Sequence, residues 1–551
     1  MTTRFLLLMP SSSCVMPACN RPVSHRYLVI MCRPGTRMSL ACLLLLPMLE
    51  RRKYSLMSRP EGKLMASKPP GVQAAAEPVR DRQDLLKPDA IGIAQATVIG
   101  MATSAPAATV AISLAAFAAA TAYASGPILL IAAIPMLIIA NAYRRLNLWS
   151  ANCGASFEWV GRAINPYLGF LTGWLMIVTY IVGTVAGVIV LGPSILAVTG
   201  ADSAGTGASV AIAGIVVLVM LVLAVVGIRI SARAQIGMAV IEYAILIGIA
   251  IAGLVWVLSH HAGSYPITSS WFTLSGVGGH GDVMGAFLLV IFVYGGWDGT
   301  LYVNEEVEHR KVYPGRAAVI AVAALAVIYT LVQVGLQGVV SPAKLQENGG
   351  SALVYIAQVM GGTALARIMA VAIALSVIAT TGAGIILGAR IVYGMASYRA
   401  LPGFLAGVSR RYSTPVASSV VVGVLIAAIS AVYLLATSLQ SAFVDIISIL
   451  GDLLAILYIL TTLAALTYYR RRITASWRDA IVVGVLPLGA AGFLGYILYR
   501  SLSSAWDSSQ AQVWTLLGVI ASGLVMMLIA RFALRSVFFR LPIESEPRAG
   551  D

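Results

Sequence analysis

Within Val290–Glu306 an apolar segment abruptly carries two glycines, a carboxylate and a third glycine: Gly295, Gly296, Asp298 and Gly299. An interior glycine costs a helix about 1 kcal/mol, and an Asp at the bilayer centre costs about 2.5 kcal/mol or more. A segment that only had to cross lipid would carry neither. Backbone that leaves the helix at membrane depth survives only where it is buried in protein or faces a water-filled cavity. Gly295–Gly299 therefore reads as a break in a discontinuous helix that lines a central binding site. The competing reading, a glycine-rich packing face with a paired acid, does not explain why small residues and the acid share one turn.

A second interruption lies at Ile99-Gly-Met-Ala-Thr-Ser-Ala-Pro106, again inside an apolar segment. Pro106 removes a backbone donor and frees carbonyls about a turn earlier. Alone this could be a proline kink; beside the Gly295–Gly299 break it suggests a pair. Three further groups stand inside apolar segments. Glu242 lies in Ala239–Leu246, Thr380 and Thr381 open a polar, small-residue face that runs to Gly384, and Asp445 and Asp452 share one segment. Intramembrane acids are functional candidates by default; the alternative for each is a structural hydrogen bond to a neighbouring helix.

The elements that must position these groups follow from composition. The 551 residues are 59% hydrophobic and 11% charged, with a mean hydropathy of +0.88, more apolar surface than a soluble domain can bury. From Ile91 onward twelve apolar spans are bounded by Gly, Pro or charge, near 91–120, 127–143, 166–194, 208–228, 236–258, 284–304, 316–340, 364–396, 415–437, 442–468, 480–500 and 512–534. The two interruptions fall in spans one and six, the opening helices of two successive groups of five, which points to inverted repeats around a midplane site. Between spans two and three, Asn152–Gly169 is amphipathic and too polar to cross, and reads as an interfacial helix.

Charge fixes the orientation. Of 37 Lys and Arg residues, 11 precede residue 80; of the other 26, an interior N-terminus puts 23 on cytoplasmic segments and leaves only Lys344, Arg367 and Arg500 outside. Both termini are therefore expected in the cytoplasm of a plasma-membrane protein. The net charge of +15 tracks this topology rather than nucleic acid. Four of the five cysteines (Cys14, Cys19, Cys32 and Cys42) precede residue 43 and only Cys153 follows, with no disulfide or zinc spacing; no metal or cofactor is expected. The expected organisation is a disordered cytoplasmic tail over 1–88 (of which 1–64 shares no character with the rest, with Met57 or Met65 as an alternative start), five-helix repeats over 89–258 and 284–468, two extra helices over 480–534, and a cytoplasmic tail over 535–551.

Four segments carry a resemblance to the amino acid–polyamine–organocation (APC) transporter superfamily over about residues 85–540. They are the broken first span, the Cys153–Gly169 loop, the sixth span running into Asn304-Glu-Glu-Val-Glu308 and Tyr313-Pro, and the eighth span continuing as Gly388–Pro402 and Tyr412-Ser-Thr-Pro415. The resemblance implies an all-α polytopic membrane protein of leucine-transporter-like fold, a 5+5 inverted repeat plus two C-terminal helices. It also implies that spans one and six bind substrate. Carried over, Met101, Ala102, Thr103, Ser104 and Ala105 would face an amino acid carboxylate, and Phe292, Tyr294, Gly295, Gly296 and Trp297 the amine and side chain. Tyr180, Thr380 and Thr381 would border the cavity, and Asp298 falls where relatives place an acid involved in proton-linked gating. The chain departs from the family in two places: Ala102-Thr-Ser-Ala105 replaces a glycine-based motif, and the family's P-x-G-G loop reads Ala151-Asn-Cys-Gly-Ala. Where some proton-coupled relatives have a Lys this chain has Glu242, so its coupling cannot be copied across; from burial near a cavity, Glu242 and Asp298 are expected to share the coupling, with Thr380 and Thr381 beside them.

The function this reading expects is secondary active transport of amino acids or related amines, driven by protons, with an amino acid/amine antiporter as the alternative. An integral-membrane enzyme would need clustered catalytic acids or His at one membrane face, whereas all five histidines fall in tails or loops; a channel would want a ring of repeated polar residues. The orientation is directly testable. In a cysteine-free background, a single cysteine at Ser270 is expected to react with an impermeant maleimide applied to intact cells, and one at Ser409 only after permeabilisation. The reverse pattern would invert the topology.

Overall fold

A computed structural model describes residues 86–200, 205–277, 282–436, 439–508 and 510–547. Residues 1–85 of the tail expected over 1–88, residues 548–551 of the tail expected over 535–551, and the side chain of Asp445 lie outside them. Among the described residues, twelve helical segments are long and apolar enough to cross a membrane, and the only bridge of strand type is a parallel pairing of Ile91 with Val307.

The first span is two helices, α1 (Ile93–Thr103) and α2 (Pro106–Thr121). Pro106 starts α2 because the first helical position needs no N–H, and Ala105 before it takes a left-handed backbone with φ 44°. Helix α3 (Ser125–Trp149) returns, and the short α4 (Ser156–Ala163) stands where the interfacial helix is expected. Next come α5 (Pro166–Thr199), α6 (Gly205–Val226) and α7 (Ile228–Leu258). The sixth span begins as α8 (Val283–Val293), passes through Tyr294–Gly296, and resumes only as the 3₁₀ turn Trp297–Leu301.

Helix α9 (Tyr313–Leu336) leads to a short helix, Pro342–Asn348, and then to α10 (Ala352–Ser397). The eighth span expected from residue 364 begins just past a kink at Gly361 and Gly362, where the backbone leaves helical geometry. The segment 342–360 was not anticipated as helix, because it is too polar for a span and too short to show a period. Helices α11 (Val416–Ala436), α12 (Leu439–Tyr468), α13 (Leu486–Ser508) and α14 (Ala511–Leu528) complete the bundle.

Burial sorts these helices. The hydropathic windows of the first span and of the eighth are each 83% buried, those of α6 and of the twelfth span only 28% and 17%. The broken first span and α10 are therefore the core, and α6 and α14 the lipid-facing rim.

One end of the bundle is tightly sealed. Arg390 on α10 and Glu306 beyond the sixth span are both fully buried and form a bidentate pair, with Nε to Oε2 at 2.9 Å and Nη2 to Oε1 at 3.1 Å. The Glu306 carbonyl accepts from Ala90 N–H at 2.8 Å, and Glu308 N–H donates to the Ile91 carbonyl at 2.9 Å. The chain just before α1 is thus stitched to the chain just after the sixth span. On the same face, residues 536–546 form a strap. Phe538 stacks on Phe157 of α4 at 3.9 Å and lies where a Cβ at Gly161 would be, 2.3 Å from its ring. Both Glu544 oxygens accept from Arg162 Nη2 at 2.8 Å, and Ser536 Oγ donates to the Tyr398 carbonyl at 2.7 Å.

Removing one partner of a buried pair strands the other charge, at a cost of about 3–5 kcal/mol, whereas replacing both with apolar residues can be neutral. Glu306→Met and Arg390→Met are therefore each expected to lower the melting temperature of the detergent-solubilised protein markedly, and the double variant to recover much of the loss. A strictly additive double-mutant cycle would show that the pair is not coupled.

Candidate functional site

The two interrupted spans meet at their breaks. Gly296 has φ +100°, and a Cβ there would sit 2.9 Å from the Thr103 carbonyl carbon and 3.0 Å from Ser104 N. A Cβ at Gly100 would come within 2.4 Å of Thr300 Cγ2 and 2.9 Å of the Trp297 oxygen. Glycine is needed at both positions because backbone lies against backbone. The contact is fixed by Ser104 Oγ, which donates to the Gly295 carbonyl at 2.6 Å.

A cavity of about 710 Å³, counting the space open toward its mouth, lies beside this junction. Of the residues expected to bind substrate or border the cavity, Thr103, Ser104, Ala105, Tyr180, Phe292, Gly295, Gly296 and Thr380 line it. Met101, Ala102, Tyr294, Trp297 and Thr381 do not. Met101 and Ala102 are on the last turn of α1 and buried against neighbours, although the Ala102 carbonyl accepts from Thr380 Oγ1 at 2.6 Å. Tyr294 points away and donates to the Leu129 carbonyl at 3.1 Å. Trp297 stacks on Tyr458 and meets Tyr143 edge-on. Thr381 closes on its own helix through Val377 O at 2.8 Å.

Sequence reasoning missed part of the wall. Thr179, Gly183 and Gly187 of α5 line it together with Leu450 and Leu454 of α12. The α5 residues recur every fourth position, so one helical face of small and hydroxylic side chains was there to be read. The two leucines carried no signal, being ordinary residues of an apolar span.

Neither carboxyl group expected to take part in coupling is on the wall. Glu242 of α7 is 1% exposed and accepts from Ala107 N–H at 2.8 Å, so it caps the first turn of α2. An acid suits that position because it meets free donors and the positive end of the helix dipole. Asp298 is fully buried on the sealed side of the junction, where Tyr302 and Tyr458 both donate to it, the latter at 3.1 Å. Among the described residues neither acid has a Lys, Arg or His within ion-pair distance. Asp452 of α12, two residues from the wall residues Leu450 and Leu454, is itself off the wall and accepts from Gln512 Nε2 of α14 at 2.7 Å.

The cavity is continuous with a wider space on one side. Ala108, Ile112, Val190 and Phe292 belong both to it and to a wider vestibule whose rim includes Ala115, Pro193 and residues 346–351. On the opposite side stand Trp297, Tyr458 and Tyr143, and behind them the Glu306–Arg390 pair. The arrangement is a cavity at the junction of two broken helices, continuous with the wider vestibule on one side and backed by aromatic rings and a buried ion pair on the other.

Comparison with known proteins places this geometry. A model described as amino acid permease matches residues 93–532. The methylthioribose transporter of Bacillus subtilis (strain 168) is 24% identical over 416 residues, covering 72% of this chain and 85% of that protein. Among solved structures, the Eremococcus coleocola manganese transporter in complex with an aromatic bis-isothiourea substituted compound superposes with a TM-score of 0.54 at 14% identity, over 80% of this chain and 95% of that one. At that identity the likeness is one of fold.

The junction predicts its own weak point. Gly296→Ala forces a side chain onto a positive φ, which costs about 1 kcal/mol or more, and onto the Thr103–Ser104 backbone besides. It is expected to lower the melting temperature by several degrees, whereas Gly207→Ala, whose added Cβ meets nothing within 4 Å, is expected to leave it unchanged. Equal melting curves for the two would show that the breaks do not need their close contact.

Proposed function

This chain is a transporter of the amino acid permease family, and from that premise we propose that it is a proton-coupled secondary transporter of a small organic solute across the plasma membrane, with both termini in the cytoplasm. The observation that carries the reading is the chamber at the two breaks, continuous with the vestibule on one side and backed by aromatic rings and the buried ion pair on the other. Under the charge-derived orientation the vestibule side is the exterior, since α2 runs from the junction to its rim. Alternating access requires that the sealed side open in turn, which the Glu306–Arg390 pair and the Ile91–Val307 bridge are placed to resist until substrate is bound.

Proton coupling is supported by Asp298 and Glu242. A charge at membrane depth with no partner is costly, so a carboxyl group kept there without a cation is suited to carrying a proton. Asp298 adjoins Trp297 and Gly296, and its two tyrosine donors reach it from the sixth span and from α12. Its protonation would therefore bear on the closed side of the chamber. Glu242 holds the start of α2, so loss of its charge would loosen the very helix end that forms the break. The family supports amino acids or related amines as substrates, and the Bacillus relative adds a thioether sugar to the candidates.

The coupling can be separated from binding. Radiolabelled amino acids, amines and methylthioribose presented to proteoliposomes with and without an inward proton gradient identify what the wild type accumulates. Asp298→Asn and Glu242→Gln keep shape and polarity but cannot ionise. Each is expected to retain counterflow exchange of that solute and to lose gradient-driven accumulation. Accumulation with wild-type pH dependence in both variants would remove these acids from the coupling.

A further inference from the structure

Among the described residues, the chamber offers a substrate no charge to pair with. Every backbone N–H at the break of the first span already has a partner. Ser104 N–H donates to the Met101 carbonyl at 3.1 Å and Ala105 N–H to the Ala102 carbonyl at 3.1 Å, while Pro106 has none to give. Ala107 N–H is held by Glu242 at 2.8 Å, Ala108 N–H by Ser376 Oγ at 3.4 Å, and Thr109 N–H by the Ala105 carbonyl at 2.8 Å. A free helix end is a ready anion site; this one is occupied from behind by a carboxyl group of the protein itself. A substrate carboxylate would have to displace Glu242 and lie against it.

The acceptors that an ammonium would use are engaged as well. The Gly295 carbonyl takes Ser104 Oγ, the Ala102 carbonyl takes Thr380 Oγ1, and the Ser104 carbonyl takes Thr109 Oγ1 at 2.7 Å. Among the described residues no Lys, Arg, His, Asp or Glu lines the chamber, and Asp298 is turned toward its tyrosines on the sealed side.

What remains is neutral and two-sided. Ile112, Val190, Phe292, Leu450 and Leu454 supply an apolar wall. Facing it, the Thr179 hydroxyl is 3% exposed with no hydrogen-bond partner, and the Tyr180 hydroxyl, 5% exposed, stands at the Asp298 end of the chamber, 3.6 Å from where a Cβ at Gly299 would be. A buried hydroxyl without a partner is costly, and Thr179, at the wall of the chamber, is suited to completion by a ligand. We infer that this site takes an uncharged, hydroxylated solute bearing a short apolar substituent, rather than a zwitterion or an ion. The inference rests on the chamber being the transport site and goes beyond that reading by fixing the charge class of what it holds.

The test uses the purified full-length protein and four thioethers of similar size: methyl 1-thio-β-D-xylopyranoside, which is uncharged, L-methionine, 3-(methylthio)propylamine and 3-(methylthio)propanoate. The glycoside is expected to raise the melting temperature and to exchange in counterflow, and the other three to do neither at roughly tenfold higher concentration. Thr179→Val and Tyr180→Phe are each expected to weaken glycoside binding roughly tenfold, with Thr179→Ser restoring it. Binding or uptake of L-methionine or of either ion, with the glycoside silent, overturns the inference while leaving the transporter reading intact. Glycoside binding without exchange supports the inference and counts against transport through this chamber. Glycoside binding that is indifferent to both Thr179→Val and Tyr180→Phe counts against recognition by these hydroxyls.

Discussion

The molecule is organised around one close approach: the backbone of the sixth span laid against that of the first, with no side chain between them. Gly100 and Gly296 permit it, and the Ser104 hydroxyl on the Gly295 carbonyl fixes it. Each span has to give up helical hydrogen bonds to make this contact. Freed donors and acceptors in a bilayer must then be satisfied locally. The chain does so with side chains from three other helices, through Glu242 of α7, Thr380 and Ser376 of α10, and Tyr329 of α9, which donates to the Ser104 carbonyl at 3.3 Å. The break is not a loose end of two helices but a knot tied by their neighbours.

That knot explains why the chamber is where it is and what sort of chamber it is. Polar groups at membrane depth divide into those spent on holding the breaks and those left to face the cavity. The charged ones are in the first set: Glu242 behind α2, Asp298 among its tyrosines, Glu306 and Arg390 on each other. The second set is made of hydroxyls. The same economy sets the closed side, where aromatic rings around Trp297 and a buried ion pair block the way past the junction.

Much of this was legible in the sequence. The twelve spans, the interfacial helix at α4 and both interruptions could be read from apolar run length and from glycine, proline and acid placed where lipid alone would not tolerate them. Eight of the residues expected around the site do line the cavity. The rest was hidden for physical reasons. Tyr294 and Trp297 flank the sixth-span break as closely as Gly295 does, but the left-handed turn at Gly296 rotates them away, and a spacing argument that assumes regular helix cannot foresee that. Leu450 and Leu454 are ordinary apolar residues of a span marked only by Asp445 and Asp452, which do not point to them. Glu306 was visible only as one acid in Asn304–Glu308; that it meets Arg390, 84 residues on, is a property of packing. The Thr179–Gly183–Gly187 face of α5, by contrast, could have been found.

The strap over the sealed face ties distant parts of the chain together. Phe538 fills the space above Gly161 and stacks on Phe157, and Glu544 grips Arg162, so the helix between the second and third spans is completed by residues more than 370 positions later. A ribosome feeding this chain into a membrane makes that helix early and its covering last. During the interval α4 presents an aromatic slot and a half-paired guanidinium on the sealed side of a nearly finished bundle. The strap therefore docks only after every helix it covers has been made.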